Sequence, residues 1–159
     1  MNVHQVIDEF VSRVDPTSTN FQRVNDAPWI SSLEARLPRR LPVSFLSLIE
    51  RYVFRSFDAG GLSFFANTGT ASVDELSAAI FLDPIIADVT LNAGYIHFAR
   101  PSTSAYDPIC FDTNRKRSNR EFPIVRLAHE EILCRNRIQV VETVADSFYR
   151  FAAHFPTRA

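Results

Sequence analysis

The sequence predicts an α+β domain, a mostly antiparallel β-sheet flanked by helices, and three observations carry that expectation. The first half of the chain opens with apolar residues at helical spacing. After Tyr52 the pattern changes to short aromatic and β-branched runs, two of them separated by the turn sequence Asp58-Ala59-Gly60-Gly61. Strand-like segments cluster instead of alternating with helices, which argues against a parallel crossover sheet. With 159 residues, 46% of them hydrophobic, the chain reads as a single domain over 1–159 around one core.

Val3, Val6, Ile7, Phe10, Val11 and Val14 form an unbroken helical stripe after a candidate Asn2 cap, and Asp15-Pro16 ends it. A polar stretch then leads to Asp26-Ala27-Pro28, where a capping aspartate and an early proline predict a helix carrying Trp29, Ile30, Leu33 and Leu37. Leu41-Pro42 opens a third helix with Phe45, Leu48, Ile49 and Tyr52 on one face. Residues 53–57 and 62–65 read as the arms of a hairpin. Asp74-Glu75-Leu76 begins a short helix, and Asp83-Pro84 caps another that stops before Gly94. Strands follow at 95–99, 108–112 and 122–127, the last two paired around a polar loop, 113–121, expected to be solvated. A helix from His129, an extended 138–141 and a final helix complete the chain. That last helix sets Val144, Phe148, Phe151 and Phe155 on one stripe, with Thr143 and Asp146 as a capping-box variant.

Charge and composition narrow the chemistry. The formal charge of −1 supplies no field for a polyanion, so direct nucleic-acid binding is not expected. The halves differ: residues 1–90 hold 7 basic and 11 acidic side chains, net −4, and residues 91–159 hold 10 and 7, net +3. Two cysteines, Cys110 and Cys134, make no CxxC pair and no disulfide framework, which suits a reducing compartment. No leader-like start and no membrane-length apolar run is seen, so a cytoplasmic protein without a membrane contact is expected.

Catalytic patterns are sparse. His129-Glu130-Glu131-Ile132-Leu133 begins like a zinc-protease helix, but Leu133 stands where the second histidine must be. His97, Cys110, His129 and Cys134 lack the close ligand pairs of structural zinc, and four glycines supply no phosphate-cradling loop. No cofactor and no metal is therefore expected. Cys110 near His97 or His129, with Asp112 two residues on, leaves a thiol hydrolase as one reading. A cysteine between Ile109 and Phe111 in a strand more often packs as a small hydrophobe. Arg115, Lys116, Arg117 and Arg120 place four cations within six residues, a candidate contact for an acidic protein surface.

Several segments together carry a resemblance. Gly94-Tyr95-Ile96-His97-Phe98-Ala99 is followed by Tyr106-Asp107-Pro108-Ile109-Cys110-Phe111-Asp112; Leu37-Pro38 and Leu41-Pro42 precede a helix with Phe45 and Leu48; Ala128-His129-Glu130-Glu131-Ile132-Leu133 and Ala145-Asp146-Ser147-Phe148 come later. In this order they resemble the SUKH superfamily, mainly bacterial toxin-immunity proteins with relatives among fungal cell-wall assembly regulators. Where many members carry an asparagine-glycine-glycine turn, this chain has Asp58-Ala59-Gly60-Gly61 in a longer hairpin. The resemblance implies a SUKH-like α+β domain with no catalytic residue, a cytoplasmic immunity protein that binds and neutralises a cognate bacterial toxin, often a nuclease or nucleic-acid-modifying effector. A regulatory scaffold of the fungal type is the alternative, ahead of the Cys110 hydrolase. Candidate partner-binding residues are Arg100, Tyr106 and Asp107 in one loop and Arg115, Lys116, Arg117 and Arg120 in the other.

Overall fold

A computed structural model of the chain describes residues 1–68, 74–103, 105–115 and 119–156. Helix α1 (Val3–Val14) begins with a reciprocal cap: the Gln5 N–H donates to the Asn2 side chain at 2.9 Å, and the Asn2 N–H donates to the Gln5 side chain at 3.0 Å. Two of the helix's orphan donors are thereby satisfied. Beyond it the chain turns around Asp15, whose carboxylate accepts the N–H groups of Thr19, Asn20 and Phe21 and the Thr19 hydroxyl at 2.8 to 3.1 Å. Burial pushes the Asp15 carboxyl up, but these donors outweigh it and hold its pKa below the ordinary value. The turn delivers β1 (Phe21–Arg23), a strand concealed in a stretch that reads as polar.

Next come α2 (Trp29–Arg36) and α3 (Val43–Arg51). Asp26 does not cap α2; Pro28 stands at its cap position, and a turn bond from the Ile30 N–H to the Ala27 carbonyl at 3.2 Å starts the helix instead. The run expected to form one hairpin arm divides in two. Its first part, β2 (Tyr52–Phe54), pairs with β1. The second, β3 (Phe57–Ala59), pairs with β4 (Leu62–Phe64) across Gly60 and Gly61, whose φ of 57° and 79° give the doubly left-handed turn that matches strand twist. A Cβ on Gly60 would come within 2.7 Å of the Phe151 ring, so the hairpin tip seats directly on the last helix.

The remaining elements are α4 (Glu75–Phe81), α5 (Ile86–Asn92), β5 (Tyr95–Pro101), β6 (Ile109–Asp112), β7 (Ile124–Leu127), α6 (His129–Arg135), β8 (Val140–Ala145) and α7 (Phe148–Ala153). Strands β3 to β8 form one six-stranded antiparallel sheet in sequence order, with β1 and β2 as a separate pair. The fold is α+β. Asp74 and Asp83 serve as helix-starting side chains, as their positions before α4 and α5 suggest. Gly94, φ 86°, follows the end of α5.

The last helix starts later than its apolar stripe suggests. Thr143 and Val144 lie in β8, where Thr143 pairs with Val125, and Ser147 caps α7 by accepting the Arg150 N–H at 3.1 Å. Ladder bonds to β7 satisfy that backbone, leaving the capping-box variant nothing to gain. Phe148, Phe151 and Phe155 still meet Phe10, at ring-centroid distances of 5.8, 6.1 and 5.4 Å. They complete the main core between the sheet and α1, α3 and α7, where Phe98 stacks on Phe111 at 4.0 Å. On the opposite sheet face, Cys110, Val125 and Leu127 pack with Ile132 of α6 and with Ile86 and Val89 of α5. Among the described residues, the second helix layer therefore covers the middle and the β7 side of the sheet and leaves the outer face of β3 and β4 open.

Candidate functional site

The open part of the sheet presents a polar row. Asp58 lies opposite Ser63, and Ser63 opposite Arg100, so one residue from each of β3, β4 and β5 points outward in line. Arg100 reaches this face because of a bulge. Ile96 and Phe98 are core residues, and simple alternation would bury Arg100 with them. The register of β5 on β6 shifts between His97 and Ala99, so Phe98 and Ala99 both face the core and the next residue is turned out.

Tyr106, 74% exposed, joins Asp58, Ser63, Arg100, Pro101 and Ser102 around a shallow depression of about 190 Å³. Among the described residues the Arg100 side chain makes no hydrogen bond or ion pair, so its guanidinium fork is uncommitted. An arginine and a tyrosine side by side, both open to solvent, are the residue types that dominate binding energy at protein interfaces.

Asp107 is turned the other way. It is 9% exposed, and its carboxylate accepts from Arg126 Nε at 2.7 Å, from the His129 N–H at 3.0 Å and from His129 Nδ1 at 2.7 Å. Burial raises its pKa, the His129 and Arg126 donors outweigh that rise, and the net position is below the ordinary carboxylate. The Ala128 methyl cannot accept a hydrogen bond, so Asp107 caps α6 from a distance, and Arg126 extends the network to Glu142 on β8 at 3.8 Å. What Asp107 does is anchor the segment that carries Tyr106, whose ring meets His129 edge-on at 6.0 Å.

The second candidate stretch lies at the far end of β5. Arg115 follows β6, whose Asp112 pairs with Tyr95; five residues of strand put Arg100 about 17 Å away. Arg115 forms an ion pair with Asp112 at 3.3 Å. Arg120 is exposed at φ 55°, and its carbonyl accepts the Val43 N–H at 3.2 Å. Lys116 and Arg117 lie outside the described residues. The expectation of a solvated loop fails at both ends. Thr113 is 3% exposed and donates its hydroxyl to the Gly94 carbonyl, and Glu121 is 5% exposed and hydrogen-bonded on both oxygens. Short-range polarity concealed these partners because each is remote in sequence.

Cys110 and His97 are cross-strand neighbours on β6 and β5, yet they form no thiol–imidazole couple. Burial, with a smaller contribution from Asp112, pushes the Cys110 thiol well up, and desolvation pushes His97 down to about 4, so both stay neutral at pH 7. His129 is committed to Asp107, and Cys134 is exposed on α6. A thiol reagent should accordingly modify Cys134 promptly in the native protein and Cys110 only on unfolding. Cys110→Ser should cost about 1–2 kcal/mol, the penalty of a buried hydroxyl without a partner. Equal labelling rates for the two cysteines would show that Cys110 is accessible.

Fold and surface together describe an α+β domain that shows an arginine–tyrosine patch on the open part of its sheet. Neither a protein-family model nor a curated protein matches the chain.

Proposed function

We propose that this protein is a non-catalytic binding module of the immunity type, which neutralises a cognate bacterial toxin domain by occupying its surface. One observation carries the assignment of the contact: the uncommitted Arg100 beside the highly exposed Tyr106, at the edge of the part of the sheet face that, among the described residues, the second helix layer leaves open. The order of SUKH-like segments along the chain supports the toxin-directed reading, within the cytoplasm and without a cofactor. Strand β5 holds Arg100 and the Asp107 anchor holds the segment that carries Tyr106, so little ordering entropy opposes binding. Cys110, at 0% exposure, offers solvent no nucleophile for the competing hydrolase reading.

The test is protection. The gene should be co-expressed with toxin domains encoded beside it, and growth scored. Arg100→Ala and Tyr106→Ala should each weaken binding to the protected-against domain about 30-fold, equivalent to about 2 kcal/mol, without changing the melting curve. Rescue that is unaffected by the double variant would move the contact elsewhere. Absence of any rescue or complex would remove the immunity reading.

A further inference from the structure

Charges on the open sheet face are arranged as a dipole. Arg100 on β5 and Asp58 on β3 are separated by one strand, and two strand spacings place their backbones about 10 Å apart. Neither side chain has a hydrogen bond or ion pair among the described residues, although they line the same depression. Between them stands Ser63, and Ser102 and Tyr106 add hydroxyls on the Arg100 side. Three donor-bearing side chains thus gather at one end, with Ser63 midway, while the other ends in a carboxylate.

Resting on the protein-binding reading above, we infer that the Arg100 end of this depression receives an aspartate or glutamate side chain of the partner, with a partner lysine or arginine opposite Asp58. Guanidinium and carboxylate are matched in plane and spacing, so the fork takes such a group through two parallel hydrogen bonds. Ser63 and Ser102 satisfy the lone pairs the fork leaves free. The Tyr106 ring covers one side of the ion pair and excludes water, which strengthens it. Asp58 supplies discrimination: a segment with two carboxylates at this spacing meets a like charge, whereas one with an acid and a base is complementary at both ends.

A phage-displayed library of disulfide-closed random loops, selected on the immobilised full chain, tests this before any natural partner is identified. Enriched clones should carry an acid and a base. Their binding should fall at least about tenfold on Arg100→Gln and about fivefold on Asp58→Asn, and be unchanged on Arg115→Gln. Both substituted side chains are exposed and unbonded, so the variants should keep the wild-type circular dichroism spectrum and melting curve. Clones that depend on Tyr106 but tolerate Arg100→Gln would overturn the carboxylate inference and leave the binding surface standing. Clones insensitive to Arg100→Gln, Asp58→Asn and Tyr106→Ala alike would overturn both. A library that enriches nothing counts against the depression as a binding site.

Discussion

Glu121→Ala is expected to lower folding stability by about 3–4 kcal/mol, comparable to breaking a buried charge network. The Glu121 carboxylate accepts the Ser44 N–H at 3.0 Å, the Ser44 hydroxyl, and the Tyr149 N–H at 3.1 Å. Ser44 lies in the first turn of α3 and Tyr149 in the first turn of α7, and neither helix's own N-terminal neighbour satisfies these donors in its place. One negative charge therefore sits at two positive helix ends, both of which pack on the same face of the sheet. Alanine would leave buried N–H groups unpaired at both helices, each a loss of about 1–3 kcal/mol, offset in part because the carboxylate's own desolvation cost disappears. Glu121→Gln is the sharper variant. Its amide nitrogen must face an N–H donor whichever way it turns, so a loss of about 1–2 kcal/mol is expected from a nearly isosteric change. Urea unfolding measures both, and native-state hydrogen exchange should show α3 and α7 loosening together. A loss below about 1 kcal/mol for Glu121→Ala would mean that the two helices hold their positions without it.

Glu121 also shows which interactions a linear reading can reach. Local capping signals were legible: Asn2 before α1, Asp74 before α4 and Asp83 before α5 each act within a few residues. The glycine turn between β3 and β4 and the pairing of β6 with β7 were legible too. Elements whose backbone is satisfied from afar were not legible. Strand β1 owes its position to the Asp15 turn and to β2. The backbone of β2 in turn bonds the buried Asn67 side chain, which accepts the Phe54 N–H at 2.9 Å and donates to the Tyr52 carbonyl at 3.0 Å. At the candidate site, Arg100 and Tyr106 were named from their segment, but their juxtaposition with Asp58 and Ser63 depends on a bulge that alternation does not encode. Asp107 illustrates the converse. A charged residue in a loop reads as a surface contact until its remote partners, Arg126 and His129, are known.

The second large effect is expected with acid. Among the described residues neither ring nitrogen of His97 has a hydrogen-bond partner, and desolvation lowers its pKa from 6.5 to about 4. Nearby carbonyls of Ala79 and Ala99 and the Asp83 charge favour the protonated ring, Arg100 opposes it, and burial decides the outcome. The unfolded chain therefore takes up a proton at His97 near pH 6.5, while the folded chain resists until about pH 4. Stability should be unaffected by this group above pH 6.5 and should fall as pH drops through that interval, by a total on the order of 3 kcal/mol. Asp8, Asp15 and Asp107 have folded pKa values below 3.8, so their contributions are lost only at lower pH, and the two regimes separate. His97→Leu keeps an apolar side chain against Phe65, whose ring meets the imidazole edge-on at 5.0 Å, and removes the titrating group. Urea midpoints measured across pH 4–7 should slope for the wild type and flatten for His97→Leu. Because Arg100 adds to the depression of the His97 pKa, Arg100→Gln should make the slope level off at a higher pH than in the wild type. Equal slopes in wild type and His97→Leu would assign the acid sensitivity to other groups and show that water reaches the imidazole beneath α4 and α5.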